Sequence, residues 1–147
     1  MGYVEELRRL VGHQQRNEPG ARWCFPGGLM ELGEAAEDTA RREVFEETAL
    51  TLGSLELIGV WSGADQLCRA ANGDEWYVVN IAYTTDDFSG EPRVNDGESR
   101  QLRWFAPDAV PDTLVRSHCQ ILAAYLEKHR EEEKYGEAYE DLHCRAA

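Results

Sequence analysis

The spacing of three glutamates constrains this chain more than any other feature of its sequence. Glu43, Glu46 and Glu47 stand at positions i, i+3 and i+4 of one segment. At about 100° per residue, a helix places all three carboxylates within an arc of about 100°. Gly33 can turn the chain ahead of this helix, and no proline interrupts the segment before Leu50. The sequence therefore predicts a helix with one acidic face.

The same segment carries two arginines that have acidic residues four positions before them. These pairs are Glu37 with Arg41 and Asp38 with Arg42. Because i,i+4 pairs of opposite charge are favourable on a helix, we expect them to use up the local positive charge. The three glutamates are then left without a cationic partner on their own helix. A cluster of carboxylates suits a hard divalent cation, Mg²⁺ or Mn²⁺, whereas the alternative is a solvent-exposed acidic helix.

A longer pattern surrounds the three glutamates. Gly28 is followed after five residues by Glu34, and after seven more by Arg42 and the glutamates themselves. The segment 28–50 resembles the motif of the Nudix (MutT-like) hydrolases and departs from it at one position, where Ala49 replaces the usual glycine. A helix often ends on a left-handed residue, where alanine costs about 1 kcal/mol more than glycine. The departure affects the helix end and none of the expected ligands.

Length and hydrophobic patterning fit a single small domain. The 147 residues, of which 42% are hydrophobic, can bury one core. Apolar runs predict strands over residues 23–25, 55–61, 76–84 and 101–105, and residues 62–75 read as a polar loop that ends in a turn. The resemblance implies an α/β fold, the Nudix-type α/β/α sandwich around a mixed sheet. We divide the domain 1–147 into an N-terminal helix over 1–12, the motif over 28–50 and a C-terminal helix over 112–135.

The N-terminal region departs from what the resemblance implies. Family members place an apolar strand pair before the motif, but residues 12–22 contain no apolar strand. We therefore expect part of the usual N-terminal strand region to be absent near His13, by deletion or by omission from the sequence. A divergent member with a short entry loop is the alternative. An opened sheet would put activity in doubt and would expose the 55–61 and 76–84 strands, so we expect a homodimer that covers them.

The residues support metal-assisted hydrolysis of a diphosphate. Divalent ions held by Glu43, Glu46 and Glu47 would neutralise charge that develops on phosphate oxygens and lower the pKa of a bound water. The backbone carbonyl of Gly28, or of the neighbouring Gly27, can add an oxygen ligand because a glycine permits close approach. We therefore expect Mg²⁺ or Mn²⁺ as the cofactor.

Three further charged residues have expected roles. The resemblance implies that Arg42 and Glu34 support the motif through a salt bridge. Family members often recruit another glutamate from a later loop, and Glu98 is the best-placed residue for this role as a base or ligand. The alternatives are ordinary surface charges at Arg42 and Glu34, and a turn carboxylate at Glu98.

The substrate is less constrained by the sequence. Arg69 can contact phosphate, although a solvated surface arginine is the alternative. Aromatic side chains that can stack on a nucleobase, or belong to the core, are Trp61, Tyr77, Tyr83 and Phe88. The net charge of −13 argues against a nucleic-acid surface, because phosphates require Lys and Arg to neutralise them. A small nucleotide-like substrate fits best.

The remaining features bear on location and on rival functions. Four cysteines show no metal-binding spacing, and no segment resembles a signal peptide or a membrane span, so we expect a cytoplasmic protein with reduced thiols. The alternative functions are a catalytically impaired Nudix-fold binding module and a truncated or engineered variant. The three motif glutamates argue against the binding module.

Overall fold

The chain alternates short strands with two helices. The computed structural model describes residues 10–15 and 22–144, with side-chain surroundings for residues 22–132. The elements are β1 (Leu10–Gln15), β2 (Trp23–Cys24), α1 (Ala36–Thr48), β3 (Thr51–Leu52), β4 (Glu56–Trp61), β5 (Leu67–Arg69), β6 (Glu75–Tyr77), β7 (Asn80–Thr84), β8 (Phe88–Ser89), β9 (Ser99–Phe105) and α2 (Arg116–Cys144). Across these described residues, neither helix combines the length and apolarity needed to cross a membrane.

Strand β1 corrects two of our predictions about the N-terminal region. It lies between β2 and β9 in a three-stranded sheet and pairs with both in the antiparallel sense. The expected gap in the strand region near His13 is therefore not seen, because residues 10–15 form a strand and the sheet is not opened there. The predicted helix over 1–12 is wrong for Leu10 to Gly12, and its residues 1–9 lie outside the described part of the chain. Backbone pairing on both edges holds β1 in place although half of its side chains are polar, which is a tertiary effect that overrides local pattern.

Three smaller two-stranded ladders complete the strand arrangement. They pair β4 with β7, β5 with β6, and β3 with β8, all antiparallel. The predicted strand over 76–84 is divided between β6 and β7, and the predicted loop over 62–75 contains β5. The turn over residues 70–74 explains the presence of β5, because Gly73 adopts φ 93° and the Ala70 N–H donates to the Asp74 carbonyl at 2.9 Å. This turn closes a β5–β6 hairpin that the polar composition had concealed.

Helix α2 begins later and ends later than the predicted 112–135. Residues just before it form a parallel bridge with β2, where Trp23 pairs with Leu114. The Trp23 N–H donates to the Thr113 carbonyl at 2.9 Å, and the Val115 N–H donates to the Trp23 carbonyl at 2.8 Å. These bonds keep the backbone extended through Val115, so the helix starts at Arg116.

The most buried apolar side chains join these elements. They are Trp23, Cys24, Leu50, Leu114 and Tyr125. Trp23 packs edge-on against Phe105 with ring centroids 4.8 Å apart, which links β2 to β9. Leu50, just after α1, is 2% exposed. The core therefore joins β2, the end of α1 and the N-terminal half of α2.

Candidate active site

Helix α1 ends as the motif predicts. Ala49 adopts the left-handed conformation with φ 62° and ψ 14°, and its N–H donates to the Phe45 carbonyl at 2.9 Å. Among the described residues it is the only non-glycine with positive φ. A β-carbon is disfavoured in this conformation, so Ala49 stores local strain at a position where the motif usually has glycine.

A tight turn leads into the start of α1. Gly33 has φ 83°, and the Glu34 N–H donates to the Glu31 carbonyl at 3.1 Å. One carboxylate oxygen of Glu34, Oε2, accepts hydrogen bonds from the Glu31 N–H at 3.0 Å and from Thr39 Oγ1 at 2.7 Å. Through these two hydrogen bonds, Glu34 links the turn to the first turn of α1.

Arg42 ties this turn to the middle of α1. Its guanidinium makes a two-pronged contact with Glu34, through Nε to Oε1 at 2.8 Å and Nη2 to Oε2 at 2.9 Å, and Nη2 also donates to the Leu29 carbonyl at 3.1 Å. The hydrogen bonds from Arg42 lower the pKa of Glu34 to about 2, and Glu34 raises the pKa of Arg42 in return. The Glu34–Arg42 salt bridge that the resemblance implies is present.

The remaining nitrogen of Arg42 contacts two of the motif glutamates. Its Nη1 lies 2.8 Å from Glu43 Oε1 and 3.2 Å from Glu46 Oε2. The expectation that these glutamates lack a cationic partner on their own helix is therefore wrong. The Arg42 guanidinium binds Glu34 in the turn and does not pair with Asp38. This orientation brings its Nη1 to Glu43 and Glu46.

The expected pair of Glu37 with Arg41 is also wrong. The guanidinium of Arg41 donates to the Gly53 carbonyl from Nε at 3.2 Å and from Nη2 at 3.0 Å. It meets Asp38 at 3.5 Å rather than Glu37. Arg41 thus joins α1 to the loop between β3 and β4, a contact between distant parts of the chain that helical spacing cannot reveal.

Two consecutive glycines place backbone against the acidic face of α1. A β-carbon on Gly28 would lie 2.3 Å from Glu43 Cδ, so the absence of a side chain there is what lets this carboxylate approach. The neighbouring Gly27 N–H donates to Glu47 Oε2 at 3.1 Å. The turn over 25–28 is therefore in direct contact with the glutamates.

Glu47 is the most buried of the motif glutamates, with 7% of its surface exposed. The pKa of its carboxyl is raised to about 8, mainly by burial and to a smaller extent by the negative charges of Glu43, Asp96 and Glu98. The Gly27 hydrogen bond opposes this shift. A buried carboxyl surrounded by other carboxylates is electrostatically unfavourable when ionised unless a cation joins it.

A loop about 50 residues further along the chain brings Glu98 to this site. The N–H groups of Arg93 and Asn95 donate to the carbonyls of Thr48 and Glu47 at 2.9 and 3.2 Å. Asn95 Nδ2 also donates to the Phe45 carbonyl at 3.1 Å. These bonds cap the C-terminal end of α1. They hold the exposed Glu98 close enough for its charge to act on Glu47.

The donors of this site suit a hard divalent cation. Carboxylate oxygens from Glu43, Glu46 and Glu47 and a nearby glycine carbonyl are the ligands that Mg²⁺ and Mn²⁺ prefer. Within the residues that the structure describes, no three acidic, histidine or cysteine side chains converge closely enough to hold a metal. Arg42 draws Glu43 and Glu46 toward itself, so cation binding requires these two side chains to turn. The donor set fits a cation, while in the present arrangement Glu43 and Glu46 are paired with Arg42.

The side chains proposed to bind substrate lie on other elements. Arg69 and Tyr77 belong to the β5–β6 hairpin, where Arg69 Nε pairs with Glu75 Oε1 at 2.5 Å. Trp61 ends β4 and packs its ring over Gly59. Phe88 tilts against Trp104 with centroids 5.7 Å apart. Tyr83 is half-buried in β7. These contacts are with residues other than the motif glutamates, and the substrate roles of these side chains stay predictions.

Sequence reasoning missed several residues of the site. Gly27 was considered for its carbonyl, whereas its N–H makes the contact with Glu47. Asp96 adds a carboxylate near Glu47 while accepting bonds from the Ser99 N–H and hydroxyl at 2.8 and 3.0 Å. The Asn95-Asp96-Gly97 turn pattern was the available signal for Asp96. His118, which contacts the segment before Gly27, carried no signal in sequence.

Comparison of the sequence with known proteins identifies its family and its relatives. The model of the NUDIX domain family matches residues 5–125. The chain is 29% identical over 127 residues to the ADP-ribose pyrophosphatase of Methanocaldococcus jannaschii, covering 85% of this chain and 70% of that protein. It is 32% identical over 108 residues to the oxidized purine nucleoside triphosphate hydrolase of Danio rerio, covering 74% of this chain and 64% of that protein.

Solved structures agree in fold. The MutT NUDIX hydrolase from Burkholderia pseudomallei aligns with a TM-score of 0.67 at 32% identity, over 80% of this chain and 88% of that one. The NUDIX domain of Shewanella oneidensis NrtR, solved with ADP ribose, gives 0.67 at 21% identity, over 82% and 77% of the two chains. The second likeness bears on the fold alone. The predicted α/β/α fold is confirmed.

Proposed function

The chain belongs to the NUDIX family and is a Nudix-type hydrolase, and from this premise we propose that it cleaves a diphosphate linkage in a nucleoside diphosphate derivative with the help of a divalent cation. Water attacks phosphorus, a P–O bond of the anhydride breaks, and the proton of the water passes to a carboxylate. The products are two phosphate-bearing fragments. This reaction needs charge neutralisation and an oriented water more than it needs covalent chemistry.

The buried carboxyl of Glu47 is the observation that carries this proposal. It lies among the charges of Glu43, Asp96 and Glu98, and the hydrogen bond from the Gly27 N–H opposes the rise in its pKa that burial causes. If the site were purely structural, a hydrophobic or amide side chain at this position would cost less free energy to bury. A cation removes the electrostatic penalty, so the cluster is better explained as a binding site for Mg²⁺ or Mn²⁺.

The chain's own residues divide the remaining work. Glu43, Glu46 and Glu47 would hold the cation together with the Gly28 carbonyl, and the bound cation would withdraw charge from phosphate oxygens and acidify water. The Gly27 N–H orients Glu47 through its hydrogen bond. Glu98 is exposed beside Glu47, where it can accept the proton of the attacking water.

Two residues act as supports for this arrangement. The Glu34–Arg42 salt bridge keeps the segment 29–34 against α1 and supplies the positive charge that Glu43 and Glu46 contact before a cation binds. Arg42 then has a partner in Glu34 when the two glutamates turn away. The salt bridge therefore lets a metal cation replace Arg42 as the partner of Glu43 and Glu46, while Arg42 stays paired with Glu34.

The substrate class follows from charge and from the relatives. One relative is named for ADP-ribose and another for oxidized purine nucleoside triphosphates, and both names describe nucleotide anhydrides. The net charge of −13 disfavours long nucleic acids, so we propose a small nucleotide. Arg69, Trp61 and Tyr77 are its proposed contacts. We propose a cytoplasmic location, where such nucleotides and Mg²⁺ are abundant.

A nucleotide panel tests the proposed function. ADP-ribose, nucleoside triphosphates, NADH and a dinucleoside polyphosphate are each incubated with the protein in Mg²⁺, in Mn²⁺ and in EDTA. We expect at least one substrate to be hydrolysed with metal and none in EDTA. Glu47→Gln should lower turnover by more than about 100-fold, because even outer-shell partners of metal ligands contribute about 10–100-fold. The matched control is Glu37→Gln, an exposed change on the same helix that should leave turnover intact.

The same panel decides between the enzyme and an impaired binding module. The contacts of Arg42 with Glu43 and Glu46 are the observation that favours the module, since they pair these carboxylates without a metal ion. A module would bind a nucleotide in calorimetry while showing no metal-dependent turnover on any substrate. Turnover that persists unchanged in EDTA or in Glu47→Gln contradicts both readings of the site.

We also propose a homodimer, on grounds that differ from the expected gap in the sheet. Strands β4, β6 and β7 expose apolar side chains that include Val60 at 54% and Tyr77 at 65%. An exposed apolar patch of this kind often marks an interface. Val60→Glu should therefore convert the dimer to a monomer in light scattering at micromolar concentration. Leu32→Glu, at a fully exposed position, is the control that should remain dimeric. A monomeric wild type with full structure by circular dichroism contradicts the proposal.

A further inference from the structure

The junction between β2 and the turn over 25–28 has an unusual partner. The Phe25 N–H donates to the imidazole nitrogen Nδ1 of His118 at 2.9 Å, across a separation of 93 residues. The two rings stack almost parallel, with an interplanar angle of 2° and centroids 5.5 Å apart. His118 thus holds both the backbone and the side chain of Phe25.

The strand edge explains why an imidazole occupies this position. The N–H and carbonyl of Trp23 pair with Thr113 and Val115 on one edge of β2. Successive residues of a strand point their hydrogen-bonding groups to opposite edges, so Phe25 presents its N–H to the same edge as Trp23. The backbone partner ends there because α2 begins at Arg116. The next acceptor of the ladder, the Val115 carbonyl, instead accepts the N–H groups of His118 and Cys119 in the first turn of α2. The imidazole of His118 supplies the acceptor in its place.

This bond acts on the site through a short piece of chain. Pro26 has no N–H, so Phe25 and Gly27 carry the only backbone donors of the three residues between β2 and Gly28. Phe25 is bound by His118, and Gly27 is bound by Glu47. The two hydrogen bonds lie on either side of one proline. A shift of Phe25 therefore moves the Gly27 N–H relative to the Glu47 carboxylate.

We propose that His118 is a positioning residue for the cation site, which fixes the turn over 25–28 so that the Gly27 N–H orients Glu47. The role requires Nδ1 to be an acceptor, so the imidazole is neutral with its proton on Nε2. His118 contacts neither the cation nor the substrate in this account. The inference rests on the proposed function only for its effect on cation binding, since the hold on the turn is independent of chemistry.

Three variants of the full chain separate the acceptor from the ring. His118→Asn keeps an acceptor near the position of Nδ1 and removes the ring. His118→Phe keeps a stacking ring and removes the acceptor. His129→Phe is the matched control, because His129 lies on the same helix and pairs with Glu132 at 2.9 Å instead of contacting the turn. Each variant is measured by hydrogen exchange resolved to peptides and by Mn²⁺ titration.

The expected result is a local and acceptor-dependent change. In His118→Phe, exchange over residues 25–31 should accelerate at least about fivefold, while exchange over β4 and β7 stays as in wild type. Mn²⁺ binding should weaken about tenfold, as expected when a partner behind a metal ligand is lost. His118→Asn should restore both measurements toward wild type, and His129→Phe should change neither.

Two results would overturn this role. One is unchanged exchange over residues 25–31 in His118→Phe. The other is an acceleration that spreads evenly over the chain and that His118→Asn does not reverse, which is the behaviour of a merely structural residue. Should His118→Phe fail to fold, His118→Gln replaces it, since its acceptor is displaced by one methylene. If wild type binds no Mn²⁺, the proposed function fails, while the exchange contrast between variants still decides the role of His118.

Discussion

Replacing Glu47 by glutamine should make the metal-free protein more stable at alkaline pH. The carboxyl has 7% exposure, and its pKa rises to about 8 from an ordinary 4.5. A raised pKa means that the folded protein holds this proton more tightly than the unfolded chain does. Below about pH 4.5 both states are protonated and burial of the carboxyl has no ionic penalty. Stability is lost as the pH rises through this window, and the loss is complete above about pH 8.

The size of the effect follows from the two pKa values. Each factor of ten in proton affinity is about 1.4 kcal/mol, so the rise from 4.5 to about 8 corresponds to about 5 kcal/mol above pH 8. Some water still reaches the carboxylate and reduces this penalty, so we expect Glu47→Gln to be more stable than wild type by about 2–5 kcal/mol at pH 9. The glutamine keeps an acceptor for the Gly27 N–H. For a chain of this length the gain is about 5–15 °C in melting temperature.

Calorimetry in EDTA at pH 5 and pH 9 measures this difference. The gap between Glu47→Gln and wild type should be small at pH 5 and large at pH 9, and saturating Mg²⁺ should stabilise wild type at pH 9 while leaving the variant unchanged. Glu37→Gln, exposed on the same helix, should stay within about 0.5 kcal/mol of wild type at both pH values. A gap that does not grow with pH would refute the claim that Glu47 is a buried carboxyl held ready for a cation.

Three further changes have defined outcomes. Ala49→Gly should stabilise the protein by about 1 kcal/mol in thermal unfolding, because glycine adopts φ 62° without strain; no gain would contradict the left-handed helix end. Gly28→Ala should cut metal-dependent turnover at least about tenfold by displacing Glu43, whereas Gly27→Ala, whose β-carbon meets nothing within 4 Å, should be tolerated; equal effects would refute the close approach. Glu98→Gln should lower kcat far more than it raises KM, and a change below about twofold would return Glu98 to a turn residue.

The motif could be predicted from sequence because its structure is local. Helical spacing fixes the common face of Glu43, Glu46 and Glu47, and the left-handed end at Ala49 follows from the same helix. The Glu34–Arg42 salt bridge came from the resemblance, and the structure contains it. What spacing could not supply was the choice of partner for each arginine. Arg41 turned to a carbonyl on another loop, which depends on how the chain folds back and not on the helix itself.

The prediction for the N-terminal strand region failed for a physical reason of the same kind. A strand that pairs on both edges gains its stability from backbone hydrogen bonds to β2 and β9, and these partners are remote in sequence. Polar residues such as His13 and Gln14 therefore occupy a central strand without the apolar alternation that predicts one. The hold of His118 on Phe25 was invisible for the same reason, since it joins residues 93 positions apart.

Binding of Mn²⁺ to the acidic face of α1 tests the central claim most directly. Titration of the metal-free protein at pH 8.5, followed by the electron paramagnetic resonance of free Mn²⁺, counts the ions bound by wild type and by the triple variant Glu43→Gln, Glu46→Gln, Glu47→Gln. We predict saturable binding of at least one ion to wild type and its loss in the variant, with circular dichroism unchanged. Equal binding by both proteins, or none by wild type, would contradict the account.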